Sequence, residues 1–238
     1  MDVTLPLTWD DAAAIVLFAV AWFAYALAVG GRLTSRVSLT TAMNRQREAW
    51  MQTMARRDLR MVDTGIMAGL QQGTAFFAST SLIALGGCLA LVRQPEEVAT
   101  VLSDLPFVTP VAPGLFELKA IGLTMLFAYS FFKFAWAYRL FNYCSILIGA
   151  VPVFRDGSPE LDAAVARAAR MNVLAGRHFN AGLRGIFFSI GYLGWFVGTV
   201  PFAVATLFVA AVLIRRQFFS SARTVVLEPP AQPGPGTS

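Results

Sequence analysis

The residues of this sequence best suited to chemistry are cationic and amide side chains set among aromatics. Tyr129, Lys133 and Trp136 share one helical face by their spacing, and Arg139, Asn142 and Tyr143 follow one or two turns later. Charged groups among Phe and Trp are costly unless they meet water, a headgroup or the interior of a bundle. Gln71 and Gln72, and farther on Arg177, His178, Asn180 and Arg184, sit where the same level would be reached. Guanidinium, ammonium and amide donors suit a phosphate or a carboxylate. The expectation is an anion or lipid-headgroup site made of Lys133, Arg139, Asn142, Tyr143, Gln71, Gln72, Arg177, His178 and Arg184. Two alternatives stand beside it. Lys133 and Arg139 snorkel to the membrane surface while the amides bond between helices, or His178 serves as acid or base beside the cations in a small membrane enzyme acting on a phospholipid or polyprenyl substrate.

Other chemistries lack their residues. His178 is the only histidine, which removes a bis-His haem, a His-rich zinc site and a metalloprotease helix. Cys88 and Cys144 lie in apolar stretches with no Cys-x-x-Cys pair and read as buried, inert thiols. There is no Walker A loop, no Rossmann glycine pattern and no Gly-x-Ser-x-Gly elbow. Acids are missing from the middle of every apolar stretch, which argues against a carboxylate proton relay, although Asp63 and Glu117 stand at possible entrances. No cofactor and no metal is expected, and the balance leans away from an enzyme.

The elements that must position these groups follow from composition. Of 238 residues, 56% are hydrophobic and 14% charged, well under the roughly 25% charged of a soluble domain. With 20 Phe, 5 Trp and a mean hydropathy of +0.60, a water-surrounded interior of this size is too small to hide the apolar surface. A hydrocarbon core takes about 20 apolar residues in a helix. Residues 12–31, 64–92 and 185–214 carry no charge, and 120–154 carries only Lys133 and Arg139. The fold expected is all-α: a polytopic membrane protein with four transmembrane helices in a bundle, at about 10–30, 68–92, 117–139 and 186–213, and amphipathic helical extensions on the cytoplasmic side. Residues 1–227 form a single domain, and the Pro/Gly-rich tail 228–238 is disordered.

The extensions come from two connecting segments. From Ser38 to Val62, Leu39, Met43, Trp50, Met54 and Met61 form one stripe, and nothing in the sequence forces a break before the second span. Ser158-Pro159-Glu160 starts a second helix whose stripe is Leu161, Val165, Ala168, Asn172, Ala175 and Phe179. The two stripes pack on each other or lie on the lipid. Residues 94–116, with four prolines, read as an outer connection carrying one short helix at 98–102. Twelve arginines lie in the two connecting segments, against five basic residues on the other side. The positive-inside rule then places both termini on the periplasmic side of a bacterial inner membrane. An anionic inner leaflet, rather than nucleic acid, is the partner this charge implies.

Gly65, Gly69 and Gly73 form two successive Gly-x-x-x-Gly units, and Gly194 with Gly198 a third. Such spacing allows close helix contact, either as a seam within the bundle or as a homo-oligomer interface. Pro201 is expected to kink the fourth span. The chain resembles a bacterial membrane-protein family, domain of unknown function 599. The resemblance is carried by Arg47 to Met51, by Gln71-Gln72 with Phe76 to Thr80, and by Phe131 to Phe134 through Arg139, Asn142, Tyr143 and Cys144. It implies a polytopic membrane protein and brings no mechanism. The function expected is a non-enzymatic, oligomeric binding, scaffolding or permeation protein with a basic pocket at the cytoplasmic boundary. A lipid-modifying enzyme and an anion channel or carrier are the alternatives.

Overall fold

The computed structural model of the chain describes residues 7–93, 113–153 and 158–228. Among them every regular element is a helix: α1 (Trp9–Val29), α2 (Leu39–Ala55), α3 (Met61–Arg93), α4 (Pro113–Gly149), α5 (Pro159–Val197), α6 (Thr199–Phe218) and α7 (Ser221–Leu227). Four stretches are long and apolar enough to cross a membrane: α1, α3, α4 from Gly114, and Thr199–Leu227, which covers α6 and α7. The short helix expected at 98–102, and the tail beyond Glu228, lie outside the described residues.

Local chemistry sets the helix starts. Thr8 and Asp11 close a capping box on α1, each side chain bonding the other's backbone N–H. Ser38 accepts from the Thr41 amide at α2, and Ser158 accepts from the Leu161 amide with Pro159 in the first turn of α5. These caps satisfy donors that a helix start otherwise leaves bare.

Three boundaries differ from expectation. The helix expected from Ser38 to Val62 does not run into α3, because the chain leaves it after Ala55 and restarts at Met61. Arg60 is drawn aside to the end of α4, where it donates to the carbonyls of Ile148, Val151 and Pro152 at 2.8–3.2 Å. A guanidinium there supplies donors that the last turn of α4 lacks. The third span does not stop at 139. α4 continues unbroken for 37 residues to Gly149, about 55 Å at 1.5 Å per residue. Arg139 therefore sits in mid-helix, its Nε donating to Tyr143 at 2.6 Å.

The third difference changes the topology. The stretch 186–213 is not one kinked helix: α5 ends at Val197, Gly198 is extended, and α6 begins at Thr199 and runs back alongside α5. A Cβ on Gly194 would lie 2.8 Å from the Pro201 carbonyl oxygen, and one on Gly191 would lie 3.4 Å from the Ala205 oxygen. Trp195 and Phe202 stack across the hairpin at 5.4 Å. Pro201 falls in the first turn of α6, where its missing N–H costs nothing, so it permits a helix start instead of bending a helix.

The helices pack in the order α3, α4, α5, α6, α1, with α2 lying across α5. Contacts between neighbours fix their directions. Lys119 of α4 meets Trp195 of α5 at one end, and Cys144 meets Ala168 toward the other. Asp11 of α1 meets Thr199 of α6 at the first end. At the second end, Gln217 of α6 meets Thr40 of α2. Successive neighbours in that order from α3 to α6 are thus antiparallel, while α1 and α6 run in the same direction. The first and last described helices, α1 at Thr8 and α7 at Glu228, therefore mark opposite ends of the bundle. We call these the Asp11 end and the arginine-rich end. Met51 and Met54 of α2, with Trp50 partly buried beside them, share a core cluster with Leu161, Val165 and Ala168 of α5, so the middle of the α2 stripe packs on α5 while Met43 and Met61 stay exposed.

Candidate functional site

A cavity of about 740 Å³ opens at the arginine-rich end between α1, α2, α5 and α6. Arg177, Asn180 and Arg184 face it from α5, at positions separated by three and four residues, which one helix face must present together. Arg32 enters from the turn after α1, and Arg216 with Gln217 from the last turn of α6. The floor is the first turn of α2, carrying Thr40, Thr41 and Asn44. That turn is pinned in three ways: Gln217 accepts from the Thr40 amide and hydroxyl at 3.1 Å, Ser38 caps it, and the Ser38 hydroxyl donates to Val29. The lining holds four guanidinium groups and no Asp or Glu. Among the described residues, no carboxylate forms an ion pair with any of the four.

Arg184 is the most constrained of them. Its Nη2 donates to the Tyr129 hydroxyl at 3.1 Å, and its guanidinium carbon stands 5.1 Å from the Trp22 ring centroid. Cation–π contact and the hydrogen bond fix the group in place, yet its buried Nε has no acceptor. Arg216 lies 5.8 Å over the ring of Phe187 and is otherwise exposed. The polar groups are thus backed by aromatic faces, with Leu27, Leu213 and Phe187 among the apolar walls.

The expected site residues do not form a single pocket. Arg177 and Arg184 line the cavity; the others are distributed elsewhere. Gln71 donates to Asn142 at 2.8 Å and to Ser145 at 3.0 Å, an amide bond between α3 and α4. Gln72 is exposed. Lys133 sits 5.3 Å over the Tyr129 ring, His178 packs edge-on to Trp136, and Arg139 covers the rings of Trp136 and Tyr143. These form a strip along α4, with Lys133 and His178 partly exposed and Arg139 and Tyr143 open. His178 is not part of the cavity wall, so the sole histidine and the paired cavity arginines do not converge.

Next to the cavity lies a buried polar knot that the sequence did not reveal. Arg47 of α2 extends across Gly176, where a Cβ would come within 3.0 Å of its guanidinium carbon, and it donates to Asn172 Oδ1. Asn172 in turn faces Met67 and Cys144, so α2, α3, α4 and α5 meet at one residue. Burial draws the Arg47 pKa below the ordinary arginine value. At the opposite end, Asp11 Oδ1 accepts from Trp195 Nε1 at 2.8 Å and Thr199 Oγ1 at 2.7 Å, while Lys119 donates to the Trp195 carbonyl at 2.7 Å.

The glycines divide as well. Gly191 and Gly194 are contact residues of the α5–α6 hairpin, and Gly198 is its turn. Gly65, Gly69 and Gly73 have open space where a Cβ would stand, so they form no seam among the described residues. The missed members of the cavity were Arg32, Asn44, Arg216 and Gln217. Arg215 and Arg216, two of the five basic residues counted on the other side, were the available signal.

The family model described as protein of unknown function, DUF599, matches residues 13–222. The chain belongs to this family. The match takes in all the helices that line the cavity, so the cavity is a feature of the DUF599 region itself. No curated protein and no solved structure matches the chain.

Proposed function

We propose that this DUF599 protein is an integral membrane protein of the bacterial inner membrane that binds an anionic group in the cavity at its arginine-rich end, and that this end faces the cytoplasm. The observation that carries the reading is the set of four guanidinium groups in one partly enclosed space without a carboxylate. Arg32, Arg177 and Arg216 are exposed and Arg184 is half-buried, and like charges gathered at one mouth repel one another, so an anion entering among them is favoured.

The hairpin supports an orientation. With α5 and α6 both passing along the bundle, Arg215, Arg216 and Arg223 join the eleven described arginines of the connecting segments, making fourteen at one end. Only Arg93 and Lys119 remain at the Asp11 end. The positive-inside rule then favours an N-terminus outside and a C-terminus in the cytoplasm, with α5 as a fifth pass beside the four helices long and apolar enough to span. Single cysteines in a Cys88, Cys144-free background test it. A membrane-impermeant thiol reagent applied to intact spheroplasts is expected to label Trp9→Cys and to spare Arg223→Cys; labelling of both defeats the five-pass reading.

The binding reading is tested by native mass spectrometry of the purified chain with its co-purified lipids. Retention of anionic lipid, reduced by Arg177→Gln and Arg216→Gln, supports it; a lipid-free protein indifferent to added anions ends it. The expected homo-oligomer draws its support from α3, where a Cβ on any of the three glycines would meet no atom of the described residues within 4 Å. Stoichiometry in the same spectra decides that point.

A further inference from the structure

We propose that the occupant of the cavity carries a terminal phosphate, held on Arg184 with Arg177, Arg216 and Arg32 around it. This inference rests on the anion-binding reading and names the chemical class of its ligand. Charge is the first argument. A carboxylate or a phosphodiester brings a single negative charge to four guanidiniums, whereas a phosphate with one ester link brings close to two.

Geometry is the second argument. A terminal phosphate presents three unesterified oxygens, and planar guanidinium groups match such oxygens in pairs. Arg184 offers a donor already immobilised by Trp22 and Tyr129, with Nε buried and unspent. Buried donors in folded proteins find an acceptor in the great majority of cases, and this one has none among the described residues. Because the group is fixed beforehand, little conformational freedom is lost when an oxygen arrives.

Size is the third. A cavity of this volume falls within the range of about 300–1,000 Å³ that houses organic ligands. The phosphate therefore carries an organic remainder, which meets Leu27, Leu213 and Phe187. That remainder comes either from a lipid of the facing leaflet or from a water-soluble phosphate ester, and the recognising chemistry is the same.

The test uses the full chain in detergent micelles. Native mass spectrometry with added dioleoyl phosphatidate, a monoester, is compared with dioleoyl phosphatidylglycerol, a diester of the same acyl chains; glycerol 3-phosphate provides the soluble arm. At least about tenfold tighter binding of the monoester is expected, as is a loss of about tenfold or more in Arg184→Gln, the scale of one charge-assisted hydrogen bond. Arg216→Gln, at an exposed position, is a second variant should Arg184→Gln fold poorly, and Arg93→Gln at the far end is expected to change nothing. Binding of glycerol 3-phosphate alone identifies a soluble source, and binding of phosphatidate alone a lipid one; either supports the proposal. Equal binding of monoester and diester overturns the terminal phosphate while leaving an anion site. Binding of neither, with variants indistinguishable from the native chain, overturns both readings.

Discussion

At the Asp11 end and at the arginine-rich end the same kinds of polar group are used to opposite effect. Asp11 is buried and accepts from Thr8, Trp195 and Thr199, while Lys119, also buried, donates to a backbone carbonyl and faces the Trp195 ring. One acid and one base hold α1, α4 and the α5–α6 turn together, and their charges oppose each other inside the chain. At the other end four arginines share a cavity with no acid, and one buried nitrogen stays without an acceptor. The first arrangement resembles a clasp, closed in the chain alone. Among the described residues the second has no such internal closure, and the proposed anion would supply it. Where charges are satisfied internally, mutation should register as lost stability; where they are not, it should register as lost binding.

The clasp gives the largest expected effect. Asp11→Leu strips the acceptor from two donors, Trp195 Nε1 and Thr199 Oγ1, so unfolding in detergent is expected to become easier by about 2–4 kcal/mol. A change below about 1 kcal/mol, followed by circular dichroism, would show that the clasp is ornamental and erase the contrast between the ends. Second comes Gly194→Ala. Its methyl would press on backbone atoms of Pro201 and Phe202, which cannot swing aside as a side chain can, for a loss of about 1–3 kcal/mol.

Gly69→Ala provides the opposite sign. Open space surrounds that position, and alanine is favoured over glycine in a helix by up to about 1 kcal/mol. A thermal scan of the monomeric chain is expected to show equal or higher stability, and a marked loss would mean that Gly69 packs against something after all. Smallest is Arg216→Gln, exposed at the cavity rim, with an expected stability change within about 0.5 kcal/mol. If that variant unfolds as readily as Asp11→Leu, the arginine-rich end is structural too, and the division between clasp and open site fails.

Much of the fold was legible in the sequence, and the reasons differ by element. α1 and α3 could be read from uncharged stretches because lipid tolerates no long polar run. The start of α5 was legible because Ser158 and Pro159 act on their own turn, whatever lies elsewhere. The end of α2 was not, because Arg60 departs toward the α4 carbonyls, a partner about 90 residues away in the chain. The site was half legible. Arg177, Asn180 and Arg184 were named as neighbours of the polar set on the third span, but they were grouped with Lys133, Arg139 and His178, which the fold places on a strip along α4. Spacing shows which residues share a helix face; it does not say which second helix that face will meet.

By itself the sequence determined that this chain lives in lipid, that it is helical, and that its positive charge is concentrated in certain segments, since each of these depends on composition or on residues within a few turns. Only the tertiary structure decided that residues 185–214 form a returning pair of helices. Thirty uncharged residues suit one long tilted helix or two short ones equally well by hydropathy, and the choice was made by Gly191 and Gly194 admitting the backbone of α6. That one turn carries Arg216 and Gln217 to the end where Arg177 and Arg184 already lie, and so creates the cavity. A helix face can be read locally, but a site between helices is a product of long-range packing.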